Sequence, residues 1–373
     1  MKLVIERSEL FRALGHVTSV VERRTTIPIL SNLLLKATSG SLHLKATDLE
    51  REVIEQTAAD VAQPGAVTVP AHLIHDIVRK LPDGTEIELK RDQEKERLML
   101  SAGRSRFALQ TLAAEDFPDL GGGDFPHAFE IAAHDLKSLI DKTRFAISTE
   151  ETRYYLNGIY LHTVVAGTKP LLRAVATDGH RLAKMELPQP DGAGGMPGII
   201  VPRKTVHEVQ RLLENGDQTA TVAVSPTKVR FSIGAVTLTS KLIDGTFPDY
   251  ARVIPQSNDK ILKVSNREFI EAVDRVSTIA SERGRAVKLA INGAKMTLSV
   301  NNPDGGSATE EVAVEYGSQP LEIGFNARYL LDIAQQLSGD NAEFKLADAG
   351  SPTIISDAAH EDPALYVLMP MRV

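Results

Sequence analysis

VTVPAHLIHDIVRKLPDGTEIELK (67–90), IIVPRKTVHEVQRLLENGDQTATVAV (199–224) and IGFNARYLLDIAQQLSGDNAEFKLA (323–347) follow one plan. Each runs from an extended piece through a Pro or Asn into an amphipathic helix, then through a turn into a strand. Leu73, Ile74, Ile77, Val78 and Leu81 fall at helical spacing in the first copy, as do Val206, Val209, Leu212 and Leu213 in the second. Pro70 and Pro202 suit helix starts, and Gly84, Gly216 and Gly339 mark the exits. Upstream, an earlier helix also recurs, as SELFRALGHVTSVV (8–21), HDLKSLIDKTRFAIS (134–148) and NREFIEAVDRVSTIA (266–280). Ser8, His134 or Asp135, and Asn266 are its expected caps. The first two units close on near-identical words, DFPDL (116–120) and TFPDY (246–250).

Corresponding landmarks lie roughly 125–130 residues apart, so three such units fill the chain. Gly-rich LGGGDFPH (120–127) and polar IPQSND (254–259) mark the junctions. The expected division is 1–124, 125–254 and 255–373. Each unit reads as two helices and about eight strands, the helices on one face of antiparallel sheet, which is an α+β class.

The composition narrows the function. With 373 residues, 42% hydrophobic and 24% charged, the chain is an ordinary globular protein of two or three domains. It has no Cys, which excludes a disulfide scaffold, a thiolate metal site and a Cys nucleophile, and fits a reducing cytoplasm. No apolar run reaches the ~20 residues that cross a bilayer, so no membrane partner is expected. Trp is absent, which leaves little material for a base-stacking platform. The formal charge of -7 argues against nucleic-acid binding over the whole surface but permits a basic face on one side.

Several motifs mislead. No GxxxxGK[ST] is present, and GAGGMPG (192–198) reads as a flexible connection. HEVQR (207–211) has Arg211 where a zinc helix needs its second His. His72 and His75 in HLIHD read as a solvated helix face rather than a metal pair, because no third ligand is near. Asp178 and His180 in VATDGHRL invite an acid–base reading. KATDLERE puts Asp48 in the same place with no His after it, so the shared Thr-Asp reads as a structural turn.

The helices carry much of the positive charge: Arg12, His16, Arg23, Arg24, Arg79 and Lys80; then Lys137, Lys142, Arg144, Arg203, Lys204 and Arg211; then Arg267, Arg275, Arg283, Arg285 and Arg328. Lining one side together, they would form a face that follows phosphates without reading bases. At ~10 Å between packed helices, six form a ring of ~60 Å circumference with ~9 Å clear inside. Twelve give ~120 Å and ~28 Å clear, enough for B-DNA of ~20 Å, so a dimer could surround a duplex where a monomer could not. The chain ends ALYVLMPMRV, where Tyr366 and Val367 can complete a strand. Pro370 cannot donate to a ladder, so the last residues suit the wall of a groove whose Met side chains adapt to several ligands.

RYYLNGIYL (153–161), ATDGHRLA (176–183), KLIDGTFPDYARVIP (241–255), NNPDG (301–305) and VLMPMRV (367–373) closely resemble the bacterial sliding clamp family, the beta subunit of the replicative DNA polymerase. IPILSNLLL (27–35) and SAGRSRFALQTL (101–112) resemble it too, so the likeness runs through the whole chain in order. It implies three domains of one clamp fold, a head-to-tail homodimer of six domains, and a ring that encircles duplex DNA without sequence preference. It implies a non-catalytic processivity subunit of a nucleotidyltransferase complex, with no cofactor and no metal. Its implied partners are the polymerase catalytic subunit, the clamp loader, and other polymerases and repair proteins.

Carried over by residue, the resemblance places a partner-peptide pocket on Arg153, Leu156, Thr177, Gly179, His180, Arg181, Leu182, Pro248, Arg252, Val253, Val367, Leu368, Met369, Pro370, Met371 and Arg372. Apolar walls there would hold the anchors of a short peptide, with His and Arg at the rim. DNA contacts fall on Arg24, Tyr154, Tyr155, Arg203 and Lys204, with Glu150 and His72 where the family often carries Gln and Arg. The dimer edge resembles the family's at Leu73, Phe107 and Ile279. Beside it Arg104 and Arg106 are expected on one side of a strand, with Arg97 near. Asp304, Glu310 and Glu311 would supply the opposing acids. Two other readings separate from this one by experiment: an α+β enzyme using Asp178 and His180, and a monomeric peptide-binding adaptor.

Overall fold

Each described helix begins on the residue after a strand ends, and this direct handover decides the caps. The structure is a computed structural model that describes residues 1–92, 94–213, 218–280, 286–359 and 363–372. Its helices are α1 (Arg7–Val17), α2 (Ala71–Lys80), α3 (Ala133–Asp141), α4 (Arg203–Leu212), α5 (Asn266–Ser277) and α6 (Ala327–Ala334). The strand Lys2–Glu6 runs straight into α1, so Glu6 is the cap, accepting from the amides of Ser8 (3.0 Å) and Glu9 (3.4 Å). Ser8 is therefore inside the helix. Likewise Ser265 caps α5 through Glu268 N (3.4 Å), and Asn266 is the first helical residue. His134 and Asp135 sit in the first turn of α3 rather than at its cap. Asn326 does cap α6, accepting from Arg328 N (3.0 Å) and Tyr329 N (3.4 Å). Gly216 lies outside the described residues.

The chain divides into two compact units, and the second repeat contributes to both. Unit one holds Met1–Leu136, Pro190–Met196 and His207–Leu242. One of its sheets has five antiparallel strands, in the order Asp60–Gln63, Lys2–Glu6, Glu86–Asp92, Arg97–Ala102, Ser105–Gln110. The other has eight, four from each of the first two repeats: His127–Ala132, Thr219–Val224, Lys228–Ile233, Val236–Lys241, Arg51–Ala58, Ser41–Thr47, Asn32–Thr38, Gly65–Pro70. The seam between the repeats is the register Val236↔Glu55 to Ser240↔Arg51. Alternation buries Leu33, Leu35, Leu42 and Leu44; α1, whose Leu10, Leu14 and Val17 are buried, packs on Ser41–Thr47 and Arg51–Ala58, and α2 adds Ile74 and Val78. Leu73 departs from the helical stripe and stays 49% exposed.

Unit two holds Lys137–Gln189, Pro197–Val206 and Ile243–Val373. It carries one twelve-stranded sheet: Ile199–Pro202, Gly158–Ala166, Lys169–Thr177, Arg181–Pro188, Leu365–Leu368, Thr353–Asp357, Asn341–Leu346, Lys260–Ser265, Gly306–Tyr316, Lys295–Asn302, Ala286–Asn292, Leu321–Asn326. Here the seam between repeats runs from Arg181↔Leu368 to Lys184↔Leu365. The last strand of one repeat thus completes the sheet of the one before it, in both units by the same rule. None of the described helices is long and apolar enough to cross a membrane.

Candidate functional site

The seam in unit two is where the sequence-expected pocket residues meet. The turn before it is built by Thr177 and Asp178. Thr177 Oγ1 donates to the Arg181 carbonyl (2.7 Å) and accepts from Gly179 N (3.1 Å). Asp178 Oδ1 accepts from the amides of His180 (2.9 Å) and Arg181 (3.1 Å), and Oδ2 from Arg181 Nε (3.1 Å). The carboxylate is thereby spent on the turn, as the repeat predicted, and does not orient the His180 ring. That ring stacks on Tyr329, centroids 6.3 Å apart.

Leu182 pairs with Val367, and both are buried. They join Leu156, Val175, Ile200, Phe247 and Tyr250 in one apolar cluster, with Tyr155, Tyr160, Ile243, Ile254 and Leu365 packed around it. Phe247 stacks on Tyr160 at 4.8 Å. The Tyr250 hydroxyl accepts from Arg173 Nη1 (2.6 Å) and lies 3.0 Å from His162 Nε2. Burial pushes the Tyr250 phenol up and the His162 imidazole down from their ordinary pKa values. Sequence reasoning missed Val175, Ile200, Phe247 and Tyr250 as members of this cluster. The signal for two of them was present in the TFPDY word.

Past Val367 the strand ends at Leu368, which is fully buried (0% exposed). The chain is then tied at two points: Met369 N donates to the His180 carbonyl (3.0 Å) and Met371 N to the Gly324 carbonyl (2.7 Å). Pro370 falls between these ties, where no donor is needed. Met369 stands 39% exposed, with Met371 and Val253 exposed to a similar degree. Pro248, Arg252 and Arg372 are exposed as well, and Arg252 pairs with Asp249 (2.8 Å). Buried Val367 and Leu368 are thus followed directly by the exposed Met369 and Met371.

One expectation needs correction. Arg181 is 8% exposed and is not a rim residue. Its guanidinium lies between the rings of Phe145 (5.0 Å) and Tyr329 (4.3 Å), with Nη1 on Asp332 (2.6 Å) and Nη2 on the Phe145 carbonyl (2.7 Å). Packing on both faces and an acid at either end leave it no reach toward a ligand. Arg153 is the more open arginine. Glu150 grips it through Nε (2.8 Å) and Nη2 (2.6 Å), and that grip holds the Glu150 carboxyl below its usual range.

Gly179 adopts φ +89°, and a Cβ there would run into Arg153 Nη1. Leu49 holds the matching place in unit one at φ 71°, so the turn itself accepts a side chain. Gly179→Leu is expected to fold, at a cost of about 1 kcal/mol for the left-handed backbone. It should also displace Arg153 and weaken binding of a pocket peptide. Thermal unfolding and peptide calorimetry together check both parts.

The expected DNA residues fall in both units. In unit two Tyr154 and Tyr155 pack edge to face at 5.7 Å, and the Asn157 carbonyl accepts from Arg203 N (2.9 Å) at the start of α4. Arg203, Lys204 and Tyr154 are exposed there, and Arg24 is exposed in unit one. The broad basic helical face is narrower than the sequence implied, because neighbouring acids neutralise most of it. Arg12 binds Glu9 (2.9 Å) and the buried Glu55 (2.7 Å), where His16 also lies (2.7 Å). Arg79 pairs with Asp76, Lys137 and Arg144 with Asp141, Arg211 with Glu208, Arg267 and Arg275 with Glu271, and Arg328 with Asp332. Lys142 reaches the Gln336 carbonyl and Ser338. Arg23, Arg24, Lys80 and Arg203 form no ion pair with a described residue. Arg283 and Arg285 lie outside the described residues. His72 donates to the Val21 carbonyl (2.9 Å) and His75 stacks on Phe11 (5.3 Å), so each is held by a separate structural contact.

At the expected dimer edge, Arg106 and Phe107 lie on Ser105–Gln110, the last strand of the five-stranded sheet. Arg104 is in the Gly103–Arg104 turn instead of the strand, because Gly103 at φ 56° closes a two-residue hairpin. Arg97 opens the neighbouring strand. In unit two Ile279 is half-buried, and its carbonyl accepts from Asn302 Nδ2 (2.9 Å). Asp304 is exposed in the turn after Asn302. Glu310 is held by Arg275 (2.6 Å) and Glu311 by Lys295 (2.7 Å) within the chain.

Comparison with known proteins agrees with this architecture. Family models of the DNA polymerase III beta subunit match in sequence order: the N-terminal domain at residues 1–121, the central domain at 130–249 and the C-terminal domain at 251–372. The beta sliding clamp of Caulobacter vibrioides is 56% identical over 374 residues, covering all of both chains. That of Escherichia coli K12 is 40% identical over 376 residues, again covering all of both. A crystal structure of the sliding clamp from Bartonella birtlesii, bound to griselimycin, matches with a TM-score of 0.97 and 54% identity across the full length of both chains. The chain belongs to the DNA polymerase III beta subunit family, the beta sliding clamps.

Proposed function

We propose that two copies of this chain close head to tail around duplex DNA and carry the replicative polymerase along it. The strand rule supports this most. Arg51–Ala58 takes the last strand of the second repeat, and Arg181–Pro188 takes the last strand of the third. Continued to the remaining repeat, the rule sets Gly306–Tyr316 of one copy against Ser105–Gln110 of the other. Arg104, Arg106 and Phe107 then face Asp304, Glu310 and Glu311, with Arg97, Leu73 and Ile279 beside them. Such a contact is heterologous and closes at two copies. The three repeats at 1–124, 125–254 and 255–373, each present in both copies, would then be the six segments of the ring.

Inside the ring Arg24, Tyr154, Tyr155, Arg203 and Lys204 would meet phosphates. Few contacts suffice, because the hold is topological and weak phosphate contacts let the protein slide. The apolar floor around Phe247, with Met369 and Met371 as movable walls, is the proposed dock for a short peptide of the polymerase catalytic subunit. The clamp loader, other polymerases and repair proteins would use the same dock in the cytoplasm. The chain would take part in nucleotidyl transfer only as a processivity subunit, with Asp178 held as a turn residue.

Loaded on circular DNA by the clamp loader and ATP, the protein is expected to survive a high-salt wash and to leave when the DNA is linearised. Equal retention on both forms would reject the ring.

A further inference from the structure

In each unit the joint between repeats closes on a helix C-terminus, where carbonyls lack partners within the helix and a cation is favoured. In unit one Arg211, the ninth residue of α4, donates from Nη1 to the Gly15 carbonyl (3.0 Å) and from Nη2 to the His16 carbonyl (3.1 Å) near the end of α1. Glu208 aims it (3.0 Å). In unit two the direction reverses. Lys142, next after α3, donates to the Gln336 carbonyl beyond the end of α6 and to Ser338 Oγ (2.7 Å). Gln335 stands there in the place that Arg211 takes in α4.

One strand position decides the direction. The strand registers equate Glu55, Met185 and Glu310 in the three repeats. Counted from the helix starts, His16, Lys142 and Arg275 are equivalent too. Glu55 is buried and holds His16 (2.7 Å) at home, so the joint takes its cation from the other helix. Met185 carries no charge to hold Lys142, which crosses the joint. Glu310 holds Arg275 (2.6 Å), so the third repeat is of the unit-one kind. It calls for an arginine at the ninth place of the second helix in the repeat that follows, and the chain has no fourth repeat.

α2 supplies such a residue. Its ninth position is Arg79, exposed and paired with Asp76 (3.1 Å) as Arg211 is with Glu208. We infer that Arg79 of each copy clasps the end of α5 in the other, its guanidinium donating to the carbonyl of the partner's Arg275. The inference rests on the head-to-tail reading of the dimer. Asp274 and Arg275 are the counterparts of Gly15 and His16. The Asp274 carbonyl already accepts from Ser277 Oγ (2.9 Å) and Thr278 Oγ1 (3.2 Å). That of Arg275 accepts from Thr278 N (3.3 Å), and a carbonyl has two lone pairs. The His16 carbonyl serves two donors in this way, taking Ser19 Oγ (2.7 Å) beside Arg211.

Sedimentation equilibrium over a dilution series of the full chain tests the clasp. Arg79→Met should raise the dimer dissociation constant about tenfold or more, the worth of one charge-assisted hydrogen bond. The variant keeps the bond from Arg7 to the backbone carbonyl of residue 79 (2.9 Å), so each chain stays folded. Lys80→Met removes the neighbouring charge, whose counterpart in α4 is the uncharged Leu212, and should change the constant by less than about threefold. A loss from Arg79→Met no larger than that from Lys80→Met overturns the inference. An unmodified chain that stays monomeric throughout the series overturns the ring and the clasp together, whereas a dimer indifferent to Arg79 overturns the clasp alone.

Discussion

Removing Met369–Val373 should abolish stimulation of the polymerase while leaving a folded dimer. The fold survives because the deletion begins after Leu368, the last buried residue of the strand that pairs with Arg181–Pro188. Among the described residues two backbone bonds are lost, from Met369 to His180 and from Met371 to Gly324. The proposed dock, in contrast, would lose both of its movable apolar walls. Each Met that covers a peptide anchor contributes about 1.5–3 kcal/mol, so together they set affinity by a factor of at least about a hundred. Primer-extension length measures the first part and native mass the second. Full stimulation by the shortened chain would move the dock elsewhere.

Arg181→Met is expected to be the most destabilising single change, at about 3–5 kcal/mol. The side chain bridges Asp178, Asp332 and the Phe145 carbonyl between two aromatic rings. Met fills much of the space but removes the guanidinium from Asp178 Oδ2, Asp332 Oδ2 and the Phe145 carbonyl, while Asp178 Oδ1 keeps its two backbone amides. The loss should appear as a lower denaturant midpoint by far-UV circular dichroism, the sequence having no Trp to follow. A midpoint within error of the unmodified protein would contradict the buried bridge.

Periodicity carried much of the architecture. The three helical words, the Thr-Asp turns and the FPD words were visible because each is local and recurs. The caps at Glu6 and Ser265 were hidden, since they depend on strands running into helices with no residue between. Arg181 looked like a rim residue from its neighbours in sequence, but its burial comes from Phe145, Tyr329 and Asp332, all far along the chain. The same holds for the basic helices: composition counts cations, while only the folded chain reveals that Glu55, Asp141 and Glu271 meet them. Phe247 and Tyr250 were noticed as parts of a word but not as a floor, because Val175 and Ile200 reach them from other strands.

The seam at Leu365–Leu368 also has a consequence for the newborn polypeptide. Its ladder partner, Arg181–Pro188, leaves the ribosome long before it does. Until the later strand arrives, the middle repeat has an open sheet edge, and the proposed dock lacks a wall. Translation fragments that stop short of Leu365 would therefore be ignored by the replication machinery, and only finished molecules would be recruited.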